Sequence, residues 1–260
     1  MRKIIYHQRG RLGDHIHTTH YIRHLCLNNE DMIVDFYCRP QFINEVKQVF
    51  EDDLRYRVFI RDVKYYKGDG VHAWYGELPD SDRDRLLSEM NHEDFFIMWW
   101  DRVSEKLGVE NPIKERRDFL MDTPNILKKN VMSKHYDFLI INSVAMSGQF
   151  DYDESVFAEM IDYLGSKYSI ITTKKYKDYP CTLDENLSLV DIGNISTDCE
   201  RIIYVHTSPL KLCINKWNFE TCKEWIVLCR LNIKYNFDTV DKFISFTTVN
   251  DCKNYTIKKY

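Results

Sequence analysis

The chain has 260 residues, 44% hydrophobic and 14% aromatic, enough apolar material for one large core or two small ones and too much for a disordered chain. A formal charge of -4 at pH 7 excludes the basic balance of a nucleic-acid protein, although local basic spots can still meet phosphates. Eight cysteines occur without a CxxC pair or a dense framework, and no stretch approaches the roughly 18 apolar residues of a membrane span, so reduced thiols in a cytoplasmic chain are expected.

Taken in chain order, Lys3 to Tyr6 reads as a short buried strand, followed by HQRGRLGD and then by Ile16, Thr19, Ile22 and Leu25 at helical spacing. MIVDFY (Met32 to Tyr37) is a second strand ended by Arg39-Pro40. Phe42, Val46, Val49 and Phe50 form a second helical stripe, and Tyr56 to Ile60 a third strand. The glycines of GDGVHAWYGELPDSD predict a long loop, and HEDFFIMWWDRVSEKLGV a helix that carries Trp99 and Trp100 into the core. The charged, poorly periodic stretch from Asn111 to His135 suits an interdomain connection.

Alternation then resumes. YDFLII (Tyr136 to Ile141) is a strand, NSVAMSGQ a loop of small and polar residues, Val156 to Leu164 a helix and Tyr168 to Thr172 a strand. Leu187 to Val190 reads as a strand, Ser196 to Glu200 as a short helix, and Arg201 to Val205 as a strand running into HTSPLKLC. After Trp225 only strand-like pieces (EWIVLC, FISFTTV, YTIKKY) are legible. Two runs of alternating strands and helices predict an α/β chain of two Rossmann-like domains with a cleft between them, residues 1–125 and 126–260.

The punctuation between strands and helices is where chemistry is expected. Gly10 and Gly13 permit a tight turn and close backbone approach, and Asp14 falls where that turn meets the first helix. As a helix cap it contributes about 1 kcal/mol; as a general base it contributes about 10²–10⁴ in rate. Arg9 and Arg11 can neutralise phosphate or acceptor anions, or tie the turn down. Ser208-Pro209 has the pattern of an N-cap followed by the first helical residue, with Lys211 in the first turn, which suits a diphosphate; an ordinary capped helix has the same pattern. Ser147 and Gly148 lie in the loop NSVAMSGQ, and Lys174 follows the strand YSIITT at the same edge. His20 and His24 stand four apart, but no Glu accompanies them, so His15, His17, His20 and His24 read as partly exposed helix-face residues rather than metal ligands. His15 and His17 are close enough in sequence to the turn to touch an acceptor. Trp74 and Tyr75 offer ring faces for a sugar or cover for the core.

In combination, Gly10-Arg11-Leu12-Gly13-Asp14 after a first strand and DIGNISTDCE-RIIYV-HTSP in the second half resemble the heptosyltransferase (glycosyltransferase family 9-like) family of GT-B enzymes. The resemblance covers roughly residues 1–60 and 136–215. In HTSP the family's acidic residue is His206 and its glycine is Ser208.

The resemblance implies an inverting, metal-independent glycosyltransferase without a cofactor, acting in polysaccharide biosynthesis. Asp14 would be the base, assisted by Arg11. Gly13, Ser147, Gly148, Lys174, His206, Thr207, Ser208, Pro209 and Lys211 would face a nucleotide-sugar donor. Arg9, His15, His17, Trp74 and Tyr75 would face a glycan or glycolipid acceptor, with peripheral membrane contact and no nucleic-acid partner. A GDP-fucose-using relative of the same fold and a catalytically silent nucleotide- or glycan-binding protein are the alternatives.

Overall fold

The computed structural model describes residues 1–50, 57–74, 78–90, 92–115, 126–129, 135–144, 150–205, 207–228 and 242–260. They form two compact units, Met1–Ile126 and Leu127–Tyr260.

The first unit runs β1 (Arg2–Tyr6), α1 (Leu12–Leu27), β2 (Ile33–Cys38), α2 (Ile43–Gln48), β3 (Val58–Asp62), β4 (Val71–His72), α3 (Asp80–Glu89) and α4 (His92–Leu107). Its four strands are parallel, in the order β3-β2-β1-β4. Ile5, Val34, Phe36 and Cys38 share one face of this sheet by register and are fully buried. Helix α1 packs on that face, with His15 against Phe36, and α4 covers its other flank, with the Tyr21 ring stacked on Trp100 at 4.3 Å and its hydroxyl 2.6 Å from Ser104 Oγ.

Burial from two sides corrects one expectation. His15, His17 and His20 are buried rather than exposed, because α1 lies between the sheet and another helix. A second correction concerns the glycine-rich stretch, which is not all loop. Val71–His72 pairs with Ile5 and Tyr6 as the fourth strand, and α3 begins at Asp80. Two residues are too few for a strand signal to show in the sequence.

The second unit runs β5 (Tyr136–Ile141), α5 (Glu154–Gly165), β6 (Ile170–Thr172), α6 (Leu189–Ser196), β7 (Cys199–Val205), α7 (Leu210–Cys213), α8 (Lys216–Thr221), β8 (Glu224–Leu228), β9 (Phe243–Phe246) and α9 (Val249–Lys259). All five strands are parallel, in the order β6-β5-β7-β8-β9. Their apolar runs match a sheet covered on both faces, and Phe138, Ile140, Ile203, Val205, Ile226 and Leu228 join Phe157, Met160 and Leu164 of α5 in one core.

Two element expectations fail here. The stretch 187–190 is not a strand, and Ser196 to Glu200 is not a helix. The Ser188 side chain accepts from the Asp191 amide at 3.2 Å while the Asp191 carboxylate accepts from the Ser188 amide at 2.8 Å, a capping box that starts α6. The C-terminal YTIKKY is helical as well. Thr248 caps α9 through the Asp251 amide, at 3.1 Å, and Lys258 and Lys259 lie in its last turn, where cations favour the carbonyl end. No helix among the described residues is long and apolar enough to cross a membrane. The seven described cysteines are buried and unbridged.

Candidate functional site

In a parallel sheet, ligands bind outside the carboxyl ends of the strands where the strand order reverses. In the first unit that point lies between β1 and β4, so the segments leaving Tyr6 and His72 part there. The first of these segments is HQRGRLGD.

Its geometry is built from the turn outward. The His7 amide donates to Tyr37 O at 2.8 Å, which continues the β1–β2 ladder by one residue. Gly10 then takes φ +84°, a conformation that suits glycine, and the Arg39 guanidinium holds its carbonyl at 3.0 Å. The Arg11 amide donates to Asp14 Oδ2 at 2.7 Å. The half-buried Asp14 carboxylate therefore has a fixed orientation on the first turn of α1, and its acidic charge lies at the positive end of that helix.

A cluster of imidazoles lies behind the turn. His7 is wholly buried and stacked on His15 at 4.2 Å, with His72 edge-on at 5.8 Å and Trp74 at 5.8 Å. His15 Nδ1 donates to Arg11 O at 2.9 Å and its Nε2 accepts from the Arg39 amide at 3.4 Å, which selects the neutral tautomer. Burial pushes His15 down to about 4, against the opposing pull of the Arg11 carbonyl. Burial, then the neighbouring His15 and His72, hold His7 well below its ordinary value. A Cβ on Gly10 would lie 2.8 Å from both Asp14 Oδ2 and His7 Cε1, so carboxylate and imidazole flank the same glycine.

Of the residues anticipated for this half, Gly13, Asp14 and His15 sit on this turn and helix start, Arg9 and Arg11 on its exposed side, and Trp74 against His7. His17 is elsewhere. Its ring packs on Phe96, Trp99 and Trp100 at 5.2–5.9 Å, on the α4 side of α1, because two residues along a helix turn the side chain by about 200°. His17 thus lies on the face of α1 turned away from the glycine turn. Tyr75 lies outside the described residues. His7, His72 and Arg39 were missed: His7 opens the turn segment itself without a recognisable role there, and only the strand order brings His72 and Arg39 to it.

In the second unit the order reverses between β5 and β7. The loop NSVAMSGQ leaves β5 there and HTSP leaves β7. Asn142, buried at the start of the first loop, binds the segment after β6. Its Oδ1 accepts from the Thr173 amide at 3.1 Å and the Lys174 amide at 2.7 Å, and its Nδ2 donates to Lys174 O at 2.9 Å. Lys174 Nζ reaches Glu154 only at 3.4 Å, between exposed groups, a contact that contributes little. Thr207 Oγ1 donates to Val205 O at 3.1 Å.

The helix after HTSP differs from its sequence expectation. Pro209, not Ser208, takes the cap position, and α7 is a single turn, Leu210–Cys213, with Leu210, Leu212 and Cys213 buried. Asn215 ends it by donating from Nδ2 to the Leu212 and Cys213 carbonyls at 3.0 and 3.2 Å, and its Oδ1 then caps α8 through the Asn218 amide at 3.0 Å. One turn aligns too few peptide dipoles to act as a long helix would. The polar equipment of this edge is thus Thr207, Ser208, Lys174 and Lys211. Ser147, Gly148 and His206 lie outside the described residues. Among the described residues, no group of three or more His, Cys, Asp or Glu side chains is arranged to hold a metal ion.

No family model and no curated protein matches the sequence. Solved structures do. The chain superposes on Escherichia coli heptosyltransferase WaaC with ADP-2-deoxy-2-fluoro heptose at TM-score 0.56 and 10% identity, covering 100% of both chains. It is similar to E. coli ADP-heptose lps heptosyltransferase II at TM-score 0.56 and 12% identity, covering 99% of each. With the glycosyl transferase family 9 structure from Veillonella parvula the TM-score is 0.54 at 14% identity, over 99% of this chain and 89% of that one. The resemblance read from the two turns thus extends over the whole chain as a likeness of structure, and the fold is the α/β, GT-B type of these neighbours.

Proposed function

We propose that the chain is an inverting glycosyltransferase that moves a sugar from a nucleotide-diphosphate sugar to a hydroxyl of a glycan or glycolipid, with Asp14 as general base. The observation that carries this reading is the Asp14 carboxylate itself, half-buried and fixed by the Arg11 amide at the strand-order reversal of a GT-B type fold. In the reaction an Asp14 oxygen takes the proton of the acceptor hydroxyl as that hydroxyl oxygen attacks the anomeric carbon. The bond from that carbon to the diphosphate breaks, and the diphosphate leaves with the electron pair. A base held in place by an amide starts in the geometry for proton transfer and loses little freedom on reaching it.

The donor belongs with the second unit in this reading. Thr207, Ser208, Lys174 and Lys211 supply hydroxyls and ammonium groups at the carboxyl edge of β6 and β7, enough to meet diphosphate charge without a metal. Lys174 can leave its weak, exposed contact with Glu154 for a phosphate at little cost. Donors bound to the neighbours, such as the ADP-heptose analogue in the WaaC structure, make an ADP-sugar the first to try.

Asp14→Asn tests the assignment, because an amide oxygen keeps the cap to Arg11 N and gives up the basicity. Turnover should fall by about two orders of magnitude or more while nucleotide affinity holds within twofold. Full activity in the variant refutes Asp14 as the base. His206 and Ser208, which stand in HTSP where the family has an acidic residue and a glycine, favour a second reading, a nucleotide- or glycan-binding protein without turnover. Calorimetric nucleotide binding with no donor consumed over a broad acceptor panel would establish it.

A further inference from the structure

Among the described residues, helices cover only one face of the first unit's sheet. The steps β1 to β2 and β2 to β3 run in one direction across the sheet and carry α1 and α2 on the face of Ile5 and Phe36. The step from β3 back to β4 runs in the opposite direction, so right-handed crossover sends it over the other face. A helix usually fills such a step and buries a parallel sheet on both sides. Here it is residues 63–70, a single 3-10 turn (Val63–Tyr65) and a coil.

That short connection protects only part of the face. Tyr66 stacks on Tyr6 at 4.2 Å and meets Tyr37 edge-on at 5.4 Å, and Gly70 is packed tightly against Ile4. Among the described residues, nothing comparable lies over Arg2, Asp35, Phe59 and Arg61, which the strand register places on the same face.

The patch they form is organised. Asp35 is buried, its side chain 4% exposed, and it accepts from Arg2 and, at 2.9 Å, from Arg61 Nε. These hydrogen bonds, Arg2 first, hold its carboxyl below the usual carboxylate range. The Arg2 and Arg61 side chains are 57% and 45% exposed, and Phe59, 49% exposed, places its ring 5.8 and 6.0 Å from their guanidiniums. The acid is underneath and the cations are outside, so the accessible charge is positive. Arg61 reaches Asp35 through its Nε, which leaves its terminal amino groups as further donors. A groove of about 400 Å³ lined by Lys47, Phe50, Val58, Phe59, Ile60 and Arg61 continues the patch around the β3 edge and adds an ammonium group.

We propose that this uncovered patch is a binding site for a carboxylate-bearing oligosaccharide. Guanidiniums fixed by one buried carboxylate present planar, pre-set donor pairs that fit a second carboxylate, this time on the ligand. The ring between them matches the flat C–H face of a pyranose. A stiff sugar chain loses less freedom on such a surface than a flexible acidic peptide would. The site belongs to the first unit alone and does not depend on the transfer reading, because binding is measured without a donor.

The test is titration of the full chain with fluorescent hexagalacturonate, with a neutral maltohexaose and with poly-glutamate, at 50 and 500 mM salt. Hexagalacturonate should bind, weaken at least tenfold at high salt, and outcompete both other probes. Arg61→Gln and Phe59→Ser should each lower its affinity at least tenfold with an unchanged melting temperature, since both side chains are half exposed and Arg2 still pairs with Asp35. Absence of hexagalacturonate binding overturns the proposal. So does wild-type affinity in the two variants, which would put the ligand elsewhere. Equal binding of poly-glutamate overturns it in favour of an acidic protein, and concentration-dependent dimerisation abolished by Phe59→Ser in favour of a second copy of this chain.

Discussion

Acid should loosen the first unit well above the pH at which carboxylates titrate. His15 is wholly buried in its neutral form, its Nδ1–H on Arg11 O and its Nε2 accepting from the Arg39 amide, and its folded value is lowered from 6.5 to about 4. In the unfolded chain the same ring takes a proton near 6.5, so below that pH the unfolded state binds more protons and stability falls as pH falls. The loss begins near pH 6.5 and levels off below the folded value. For this shift it comes to about 2 kcal/mol at pH 5 and about 3 kcal/mol at pH 4. His7, lowered well below its ordinary value by burial, adds to it. The acids with lowered values, Asp35, Asp62, Glu110, Asp153, Asp162 and Glu200, contribute in the same direction only below their ordinary values of 3.8 to 4.5, so pH 7 to 5 isolates the histidines. Hydrogen exchange of peptides spanning residues 2–27 in the full chain, corrected for intrinsic rates, should show protection falling at least thirtyfold from pH 7 to pH 5, the equivalent of about 2 kcal/mol. His15→Asn keeps a donor for Arg11 O but does not titrate, and should remove about 2 kcal/mol of that pH dependence. An unchanged slope in the variant refutes the burial of a neutral ring as its cause.

Other perturbations separate the remaining parts. Gly10→Ala meets both a positive φ and contacts of 2.8 Å to Asp14 Oδ2 and His7 Cε1, and should cost about 1–3 kcal/mol in thermal unfolding while displacing the carboxylate enough to lower turnover. Asn142→Ala removes the side-chain acceptor of the Lys174 amide, while the Thr173 amide keeps Ile140 O, and should destabilise the second unit by about 1–2 kcal/mol, seen as faster exchange in peptides covering β5 and β6. Lys211→Ala and Lys174→Ala should each raise the apparent donor KM several-fold with little change in kcat, as loss of uniform binding requires; a fall in kcat alone would count against a donor-holding role. Turnover should persist in excess EDTA, and its loss would contradict the metal-independent reading.

Alternating apolar runs and helical stripes made the α/β class readable, because a strand's period of two and a helix's 3.6 are local properties of the chain. The turns HQRGRLGD and HTSP were legible for a similar reason, since Gly, Ser and Pro constrain backbone over a few residues. Failures occurred where a long-range partner or a cap overrode local pattern. LSLV has strand composition, yet the reciprocal Ser188–Asp191 bonds make it the start of a helix, and Val71–His72 becomes a strand only because β1 has an open edge beside it.

What the sequence by itself determined, then, is the kind of elements, their order, and the two loops that reach the strand-order reversals. Only the tertiary structure decided that His72 and Arg39 gather around Gly10, that His17 faces α4 instead, and that Asp35 lies buried under two exposed arginines. Those meetings follow from strand order and crossover direction. Both are set by contacts between residues far apart in the chain, and no window of sequence contains both partners.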